Sequence, residues 1–484
     1  MTLRPVFYII GLLLIFLGLS MLVPIAVVLY LESYDWGGFV YGAAITLFFG
    51  VMMTLANQHS LDKITLGVRE AFLLTGLSWV FVIVFASLPF LLSGHPQTLT
   101  DSLFESTSAL TTTGATVIKN LAKATPGILF WRSILQWLGG IGIIVMALTI
   151  LPMLRIGGMQ LFRSESSERS ERNLPRVSQI AKAILSIQAL FTVIFFLALL
   201  GAGLGPLDAV CHAMTALTTG GLSTLDTSIS GFANPLAEMI LIVAMLMGSC
   251  TLLLMIRVFQ GDWRAFTSNP QIRWFFSIIG LMTTFLIFWR FYHTPNQPLL
   301  QMSRESLFMV VSSISSTGFT VANPGVWGSF STLLLFMASF IGGCTGSTTG
   351  GLKIFRIQVL WTVLKTQMAR LRRPHGVFLP HYNDQVLSDD VMGSVFTFFG
   401  LFGLTYGVIA LTLSFCGIDP IVSLSVSAAA ITNTGMGVGV DLGGNGPFAT
   451  LSDPAKWTLM VGMLMGRLEM MTIVALLLPG FWKR

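Results

Sequence analysis

The stretch ALTTTGAT at residues 109–116 interrupts two long apolar runs with hydroxyl side chains and a glycine. It contains no charge, no histidine and no cysteine, so acid–base or metal-ligand chemistry does not explain it. Alone, a Thr-Thr-Thr-Gly sequence is a weak signal that any turn could contain. It gains meaning because similar sequences recur at three other places in the chain.

Four segments align on one glycine, and each stands between two apolar runs. They read DSLFESTSALTTTGAT (101–116), DAVCHAMTALTTGGLS (208–223), ESLFMVVSSISSTGFT (305–320) and VSLSVSAAAITNTGMG (422–437). The aligned glycines are Gly114, Gly221, Gly318 and Gly435. Internal repetition of this kind predicts four copies of one structural unit.

Each segment can form a short helix that enters a membrane and stops midway. About ten half-apolar residues precede each glycine run, and at 1.5 Å per residue they span roughly 15 Å, half of the hydrocarbon core. The chain must then return as non-helical backbone, which a membrane tolerates only where protein or water surrounds it. Glycine permits a positive φ, so successive carbonyls can point to one side, and Thr and Ser add hydroxyl oxygens.

Four such segments around one axis would form rings of neutral oxygens that replace the hydration shell of a monovalent cation. The short helices would direct their partly negative C-termini at the pore centre. The filter segments hold no ring of Asp or Glu, which argues against a divalent cation. The alternative is four re-entrant turns that only pack, although packing does not require glycines in register. The candidate filter residues are Thr111, Thr112, Thr113, Gly114, Thr219, Gly220, Gly221, Ser316, Thr317, Gly318, Asn433, Thr434 and Gly435.

The composition predicts a polytopic membrane protein. Of 484 residues, 54% are hydrophobic and 10% are charged, whereas soluble domains carry roughly 25% charged residues. The first run is too long for a signal-peptide core, so we expect a retained span, and the four cysteines lie in apolar segments without metal-ligand spacing. Apolar runs fall near 5–30, 37–56, 71–93, 126–154, 179–202, 234–256, 272–292, 326–342, 391–416 and 454–480.

The distribution of basic residues predicts the orientation. With both termini in the cytoplasm, 20 of the 27 basic residues lie on the inner side, as the positive-inside rule expects. The net charge of +6 is therefore first a topology signal, and we expect no nucleic-acid partner. The predicted inner residues are Arg4, Lys63, Arg69, Arg155, Arg163, Arg169, Arg172, Arg176, Lys182, Arg257, Arg264, Arg273, Lys353, Arg356, Lys365, Arg370, Arg372, Arg373, Lys483 and Arg484.

At the four glycine segments the chain resembles the Trk/Ktr/HKT superfamily of potassium transporters, specifically its bacterial TrkH/TrkG-type membrane subunit. The resemblance covers essentially the whole chain. It implies an all-α polytopic membrane protein in which four pseudo-symmetric helix–pore-loop–helix units surround one K⁺ filter, preceded by two extra N-terminal helices. In that family glycine in all four units goes with K⁺ preference, and serine in the first unit goes with Na⁺ permeation. Segments 219–222 and 433–436 differ most from the first segment, which leaves the coordination number of each ring open.

This resemblance also implies the organisation of the chain. We expect the two N-terminal helices in 1–60 and the four pore units in 61–160, 175–258, 270–373 and 389–484. K⁺ would be the transported ion, and the protein would lie in the bacterial cytoplasmic (inner) membrane.

The stretch SFIGGCTGSTTGGLKIF (339–355) holds five glycines in the middle of a span. Because each glycine costs about 1 kcal/mol relative to alanine in a helix, we expect the helix to break there. A close-packing kink is the alternative interpretation. The resembled family has an intramembrane gating loop in its third unit, and residues 342–351 match it in place and composition. The candidate gate residues are Gly342, Gly343, Thr345, Gly346, Ser347, Gly350, Gly351 and Arg467.

Several charged residues lie inside apolar runs, where charge is costly. Arg467 and Glu469 fall near the middle of the last run, on different faces of a continuous helix. The family places a pore-facing arginine at the position of Arg467, which would act as an electrostatic barrier near the gate; a snorkelling or structurally paired arginine is the alternative. We expect Arg132 to pair with Glu105 on the first pore helix. His212 and Glu305, on the second and third pore helices, are interpreted as packing or hydrogen-bonding residues.

The predicted partners follow from the resemblance. The cytoplasmic stretches 161–179 and 364–390 are charged, and such stretches are usually solvated or attract anionic membrane lipids. In the resembled family this face binds a ring of soluble nucleotide-binding regulatory subunits of the TrkA type, and the transporter subunit is a homodimer. A nucleotide would therefore act only through the partner subunit.

Other functional classes fit the sequence less well. An intramembrane hydrolase needs a nucleophile with a base, and Ser347 has no evident histidine or lysine partner, so we predict no enzyme activity. The chain has no GxxxxGK[ST] motif, which argues against ATP hydrolysis. A secondary transporter with broken helices fits the break at 342–351 but not four aligned half-helices. Channel-like conduction and proton- or sodium-coupled symport both remain open, although no chain of Asp or Glu crosses the spans.

Overall fold

The structure is a computed structural model that describes residues 3–32, 35–58, 67–95, 98–149, 175–293, 297–383, 385–437 and 448–482. Within these residues the chain is helical apart from loops and one two-stranded hairpin. Seven helices are long and apolar enough to cross a membrane, and a bent pair of helices near the C-terminus makes an eighth candidate. The predicted all-α membrane fold is confirmed.

The N-terminal pair and the first two units account for twelve of the described helices. The pair is formed by α1 (Arg4–Ser20), continued after a short break by α2 (Leu22–Tyr30), and by α3 (Gly37–Asn57). Unit 1 contains α4 (Val68–Ala86), α5 (Leu88–Leu92), the pore helix α6 (Leu99–Leu110) and α7 (Pro126–Thr149). Unit 2 contains α8 (Pro175–Gly201), the pore helix α9 (Pro206–Leu217), α10 (Pro235–Ser249), α11 (Leu252–Phe259) and α12 (Trp263–Ser268).

The last two units repeat the order of first helix, pore helix and second helix. Unit 3 contains α13 (Pro270–His293), the pore helix α14 (Leu299–Ile314), α15 (Ser329–Ile341) and α16 (Ile354–Arg372). The hairpin of β1 (His381–Tyr382) and β2 (Gln385–Val386) follows. Unit 4 contains α17 (Asp389–Phe415), the pore helix α18 (Pro420–Ile431), α19 (Asp453–Arg467), α20 (Met470–Leu477) and α21 (Pro479–Trp482). Short 3₁₀ turns occupy Leu121–Lys123, Ser228–Phe232 and Pro324–Trp327.

Local sequence signals fix where the pore helices begin. The hydroxyl of Thr98 accepts a hydrogen bond from the Asp101 N–H at 3.1 Å and so caps α6. The Asp419 carboxylate caps α18 by accepting from the N–H of Ile421 at 2.9 Å. Proline opens α18 at its first position, as it also opens α9, because the missing N–H is not needed there.

Small residues let each second helix approach the end of its own pore helix in three of the units. A Cβ atom on Gly139 would clash with the carbonyl oxygen of Leu110, the last residue of α6. A Cβ atom on Gly248 would likewise clash with the carbonyl oxygen of Leu217, and a Cβ atom on Gly466 would clash with that of Ile431. Backbone blocks these Cβ positions, so the glycines set the distance at which the helices pack.

Ion pairs tie neighbouring units together near the beginnings of the pore helices. Lys456 on α19 lies 2.6 Å from the carboxylate of Asp101 on α6, which joins unit 4 to unit 1. Arg304 on α14 lies 2.7 Å from the carboxylate of Glu238 on α10, which joins unit 3 to unit 2. Both bonds link helices that are distant in the sequence, and they help to close the four units around one axis.

Apart from the short breaks between α1 and α2 and between α4 and α5, which leave single spans, two apolar runs predicted as continuous are broken in the structure. The run 234–256 is interrupted between α10 and α11, and the run 454–480 bends by 112° between α19 and α20. The expectation that Arg467 and Glu469 share one straight helix is therefore wrong, because Glu469 has a left-handed backbone (φ 58°) at the bend. The five-glycine stretch breaks its helix as predicted, since α15 ends at Ile341 and α16 begins at Ile354.

Part of the predicted cytoplasmic face lies outside the described residues. This applies to most of the stretch 161–179 and to seven of the basic residues used for the topology. These residues are Lys63, Arg155, Arg163, Arg169, Arg172, Lys483 and Arg484.

Replacing Gly248 by alanine tests the close approach of α10 to the pore helix. The added Cβ would meet the Leu217 carbonyl, which is backbone and cannot rotate away. We therefore expect a loss of about 1–3 kcal/mol in stability and a lower thermal midpoint in detergent. Gly280→Ala on α13 is the matched control, because open space surrounds that position and alanine favours a helix by about 1 kcal/mol. Equal thermal midpoints for the two variants would contradict this account of the packing.

Candidate ion-conduction site

All four pore helices end in the same left-handed turn. The residue two places before each filter glycine has a φ between 52° and 54°: Thr112, Thr219, Ser316 and Asn433. The next residue donates its N–H to a carbonyl five residues back, for example Thr113 to Ser108 at 2.9 Å and Thr434 to Ala429 at 3.0 Å. This is a Schellman ending, in which glycine usually takes the left-handed position. A residue with a hydroxyl or amide side chain at this position is less favourable than glycine by on the order of 1 kcal/mol or more in each unit.

The filter glycines close a ring of contacts between the units. All four have positive φ values, from 66° to 85°. A Cβ on any of them would clash with the carbonyl oxygen that precedes the filter glycine of the next unit. The pairs are Gly114 with Gly220, Gly221 with Thr317, Gly318 with Thr434, and Gly435 with Thr113. The contacts run from unit 1 through units 2, 3 and 4 and back to unit 1, so the four segments surround one axis.

All four filter glycines line one cavity on one side of this ring. Its volume is about 200 Å³, and Gly114, Gly221, Gly318 and Gly435 contribute to its wall. Thr116, Ser223 and Thr320 add hydroxyls, and Asp226 adds a carboxylate. An ion could therefore approach the ring through a partly polar vestibule.

In three units, two side-chain hydroxyls beside the filter turn form a hydrogen bond with each other and so support the filter backbone. The side chain of Thr111 bonds that of Thr113 at 2.7 Å. The pairs Ser315–Thr317 and Thr432–Thr434 are equivalent, at 2.6 and 2.8 Å. The hydroxyls of Thr111 and Thr432 also bond a carbonyl one turn back in their pore helices. Thr111, Thr113, Thr317 and Thr434 thus support the filter with their side chains as well as contributing backbone.

A buried ion pair holds the first filter strand. Arg132 on α7 donates from Nε to a carboxylate oxygen of Glu105 at 2.6 Å, and both side chains are almost fully buried. The Glu105 carboxylate also accepts from the Thr116 hydroxyl and from the Val117 N–H at 3.0 Å. Arg132 donates from Nη1 to the Ser223 carbonyl at 3.1 Å, so the predicted pair connects the outward strands of units 1 and 2.

His212 and Glu305 occupy hydrogen-bonded positions on their pore helices. Both ring nitrogens of His212 are bonded, to the Asp208 carbonyl at 2.8 Å and to the Ser223 hydroxyl at 2.9 Å. The Glu305 carboxylate accepts from Arg290 at 2.6 Å and from Gln301 at 2.7 Å. These contacts support the interpretation of both residues as packing or hydrogen-bonding groups.

The loop 342–351 lies directly below the filter and contacts three of its units. The Thr348 hydroxyl bonds that of Thr219 at 3.0 Å, and the Gly350 N–H donates to the Ser316 hydroxyl at 2.7 Å. Gly350 also packs against the Thr432 carbonyl, so tightly that a Cβ would clash there. These contacts place the loop against the inner, left-handed turn of the filter segments.

The loop is held by the broken end of α10. The Cys344 N–H donates to the Ser249 carbonyl at 3.0 Å, and the Thr348 N–H donates to the Gly248 carbonyl at 3.2 Å. The Thr251 hydroxyl donates to the Thr345 carbonyl at 2.7 Å. Carbonyls freed where α10 ends are thereby bonded to the loop, as buried backbone requires.

The other predicted gate residues shape the loop itself. Gly342, Gly346 and Gly351 have positive φ values between 74° and 78°, whereas Gly343 and Gly350 do not. The Ser347 hydroxyl donates to the Cys344 carbonyl at 2.5 Å and bonds the Thr349 hydroxyl at 2.8 Å. Gly342 and Gly351 lie side by side, so the two ends of the loop meet.

Arg467 and Lys353, which form no ion pair within the described residues, line a small cavity beside the loop. Arg467 donates from Nη1 to the Thr348 carbonyl at 2.7 Å, and in the described part of the chain it makes no ion pair. Lys353 donates to the Thr349 carbonyl at 2.6 Å. Glu469 lies nearby, but its carboxylate is bonded to Arg356. The cavity among these residues is about 30 Å³, room for one or two water molecules.

Sequence reasoning missed four residues that join these parts: Gln136, Thr348, Lys353 and Arg356. Gln136 and Arg356 are buried polar side chains in long helices. A polar residue in a membrane-spanning helix is the signal that could have marked each of them as functional. Thr348 lies in the predicted loop, and Lys353 lies two residues after it. The loop was predicted from its glycines, which do not distinguish these two residues from their neighbours. The partners Arg356 and Glu469 are 113 residues apart, a distance that no local pattern bridges.

The fold and the site define a helical membrane protein built from four pore-loop units around one pore. The sequence profile of the TrkH family, described as a cation transport protein, matches residues 38–479. The chain belongs to that family, which is one of membrane transporters rather than enzymes.

Relatives and a solved structure agree with this assignment. The chain is 39% identical over 481 residues to the Trk system potassium uptake protein TrkI of Halomonas elongata, covering 99% of this chain and 97% of the relative. It is 35% identical to the Trk system potassium uptake protein TrkH of Escherichia coli, with full coverage of both. The crystal structure of the potassium transporter TrkH from Vibrio parahaemolyticus matches with a TM-score of 0.92 at 34% identity over the whole of both chains.

Removing one member of the Glu105–Arg132 pair tests its role as a scaffold. Arg132→Met leaves the buried Glu105 carboxylate without its cation, and we expect a loss of about 3–5 kcal/mol in stability, seen as a lower thermal midpoint in detergent. The double variant Glu105→Gln, Arg132→Met should be less destabilised, because no buried charge remains unpaired. A double variant at least as unstable as Arg132→Met would show that the pairing is not the source of the effect.

Proposed function

We propose that this chain is the membrane subunit of a potassium uptake system and conducts K⁺ through the ring formed by Gly114, Gly221, Gly318 and Gly435. The observation that carries the proposal is the closed ring of glycine–carbonyl contacts, which brings backbone oxygens of all four units around one axis. The full-length relatives named as potassium uptake proteins support K⁺ as the transported ion.

The proposed filter works by replacing water around the ion. A cation enters the outer vestibule, exchanges its hydration shell for carbonyl and hydroxyl oxygens, and moves between rings of neutral ligands. Thr112, Thr219, Ser316 and Asn433 form the innermost ring, and the Thr112 hydroxyl has no hydrogen-bond partner within the described residues.

The loop 342–351 acts as the gate in this proposal. It fills the space below the filter, where the remaining cavity is about 30 Å³, compared with about 200 Å³ above. Arg467 and Lys353 add positive charge at the same level, and charge of this sign opposes the passage of a cation. The structure would thus represent a closed pathway, which opens when the loop moves away from Ser316 and Thr219.

The partners and orientation of the transporter complete the proposal. Both termini would lie in the cytoplasm, since this orientation places 20 of the 27 basic residues on the inner side of a bacterial cytoplasmic membrane. A soluble nucleotide-binding subunit of the TrkA type would bind this face and control the loop, and two copies of the chain would form a homodimer. The words "Trk system" in the names of the relatives support a multi-subunit assembly.

Ion flux into proteoliposomes tests the transported ion and the coupling. We expect K⁺ uptake to exceed Na⁺ uptake, and to continue without a pH gradient, because no chain of titratable carboxylates crosses the spans. Equal K⁺ and Na⁺ uptake would contradict the K⁺ assignment. A strict requirement for a proton or sodium gradient would replace channel-like conduction by symport.

Serine at position 318 tests the filter. Gly318→Ser introduces a Cβ that clashes with the Thr434 carbonyl, so the ring must widen, and we expect the ratio of K⁺ to Na⁺ uptake to fall about tenfold or more. Gly400→Ser on α17 is the matched control, since open space surrounds that glycine and the ratio should not change. Unchanged discrimination in Gly318→Ser would remove this glycine from the filter.

Shortening the loop tests the gate. Since Gly342 and Gly351 are adjacent in space, deleting 343–350 should leave α15 and α16 in place and raise K⁺ flux severalfold by opening the lower cavity. Arg467→Met is a milder second variant that keeps the backbone and removes one positive charge, and we expect a smaller rise. If both variants run as monodisperse protein and neither raises the flux, the loop is not the gate.

A further inference from the structure

Unit 2 lacks a side chain that supports the filter in the other three units. Units 1, 3 and 4 have a hydroxyl pair behind the filter strand, closed by Thr113, Thr317 and Thr434 respectively. The corresponding position in unit 2 is Gly220, so Thr218 has no such partner. Gly220 and Gly221 are also adjacent glycines, which makes this strand the one with the greatest intrinsic backbone freedom.

Gln136 from unit 1 fills the vacant position. A Cβ on Gly220 would collide with the carboxamide of Gln136, which therefore lies where a threonine side chain would begin. Gln136 donates from Nε2 to the Gly220 carbonyl at 2.7 Å and accepts at Oε1 from the Leu222 N–H at 3.3 Å. The side chain is fully buried. These two bonds engage the backbone groups on both sides of the filter glycine Gly221.

Two other residues on the same face of α7 as Gln136 also contact the filter segment of unit 2. Arg132, one turn earlier, donates to the Ser223 carbonyl of the same strand. Gly140, one turn later, packs against the Thr218 side chain so closely that a Cβ would lie 2.8 Å from Thr218 Cγ2. Residues at i, i+4 and i+8 share one face of a helix, so a single face of α7 supports the whole filter strand of unit 2.

We propose that Gln136 is a positioning and specificity-determining residue of the filter. Its carboxamide takes, in unit 2, the place of the threonine side chain of the other units, and it fixes the orientation of the Gly220 carbonyl. That carbonyl is the one in contact with Gly114, so its orientation sets one side of the ring. The inference rests on the proposed K⁺ filter.

The first experiment removes the hydrogen bonds while keeping the volume. Gln136→Met fills the same space without a donor or acceptor, and we expect the ratio of K⁺ to Na⁺ uptake in proteoliposomes to fall by about three- to tenfold, as the loss of a buried hydrogen bond predicts. Gln188→Met is the matched control. Gln188 is equally buried, on α8, and within the described residues its amide makes no hydrogen bond to a filter segment. Its substitution should leave the ratio unchanged.

The second experiment replaces the Gln136 contact in unit 2 by a hydroxyl pair like that of the other three units. Gly220→Thr alone should lose uptake, because the new side chain collides with Gln136, and Gln136→Ala alone should lose discrimination. The double variant Gln136→Ala, Gly220→Thr lets the introduced threonine pair its hydroxyl with that of Thr218, and we expect it to discriminate K⁺ from Na⁺ better than either single variant. A purely structural filler would not show this rescue of the ion ratio.

The outcomes separate this inference from the proposed function. If wild-type protein does not take up K⁺ in preference to Na⁺, the proposed function fails. If wild-type protein discriminates, and Gln136→Met discriminates equally well, the inference is overturned. A double variant that folds, as shown by a monodisperse elution profile, but discriminates no better than the single variants also overturns it.

Discussion

The contact of each filter glycine with a carbonyl of the next unit is the constraint on which the structure depends. It requires a positive φ at Gly114, Gly221, Gly318 and Gly435 and leaves no room for a Cβ at any of them. Each pore helix must therefore end four residues earlier, in a left-handed turn, with its C-terminus toward the axis. In three units the second helix packs directly against this end, through Gly139, Gly248 and Gly466.

Support comes from outside each unit as well as from within it. Arg132 and Gln136 of unit 1 hold the strand of unit 2, and Lys456 of unit 4 pairs with Asp101 of unit 1. The four units are alike in backbone but differ in side chains. Each pair of neighbouring units is therefore held together by different side-chain contacts. Within the described residues, unit 3 alone carries a loop below the filter.

The break in α10 and the loop of unit 3 depend on each other. The carbonyls of Gly248 and Ser249 lose their helical partners where α10 ends, and the loop N–H groups of Thr348 and Cys344 replace them. Movement of the loop would expose these carbonyls, which is unfavourable unless water enters the cavity. The observed position of the loop is thus stabilised by hydrogen bonds as well as by packing.

The repeat could be predicted from the sequence because exclusion of a Cβ at four equivalent positions leaves four aligned glycines. The glycine-rich break at 342–353 was predictable for a similar reason, since five glycines disfavour a helix. The breaks at Cys250–Thr251 and Leu468–Glu469 contain no glycine or proline, so local propensity does not mark them. At the first break the Thr251 hydroxyl bonds the Thr345 carbonyl, a tertiary contact that no local pattern reveals. Gln136 gave only the weak signal of one polar residue in an apolar helix, because its partner Gly220 is 84 residues away.

We expect the four left-handed turns to bind a cation on their common axis. Anomalous diffraction from crystals grown with Rb⁺ in place of K⁺ tests it most directly. We expect anomalous peaks on the axis, enclosed by the segments that contain Gly114, Gly221, Gly318 and Gly435. Crystals that diffract well but show no anomalous peak between these four segments would contradict it.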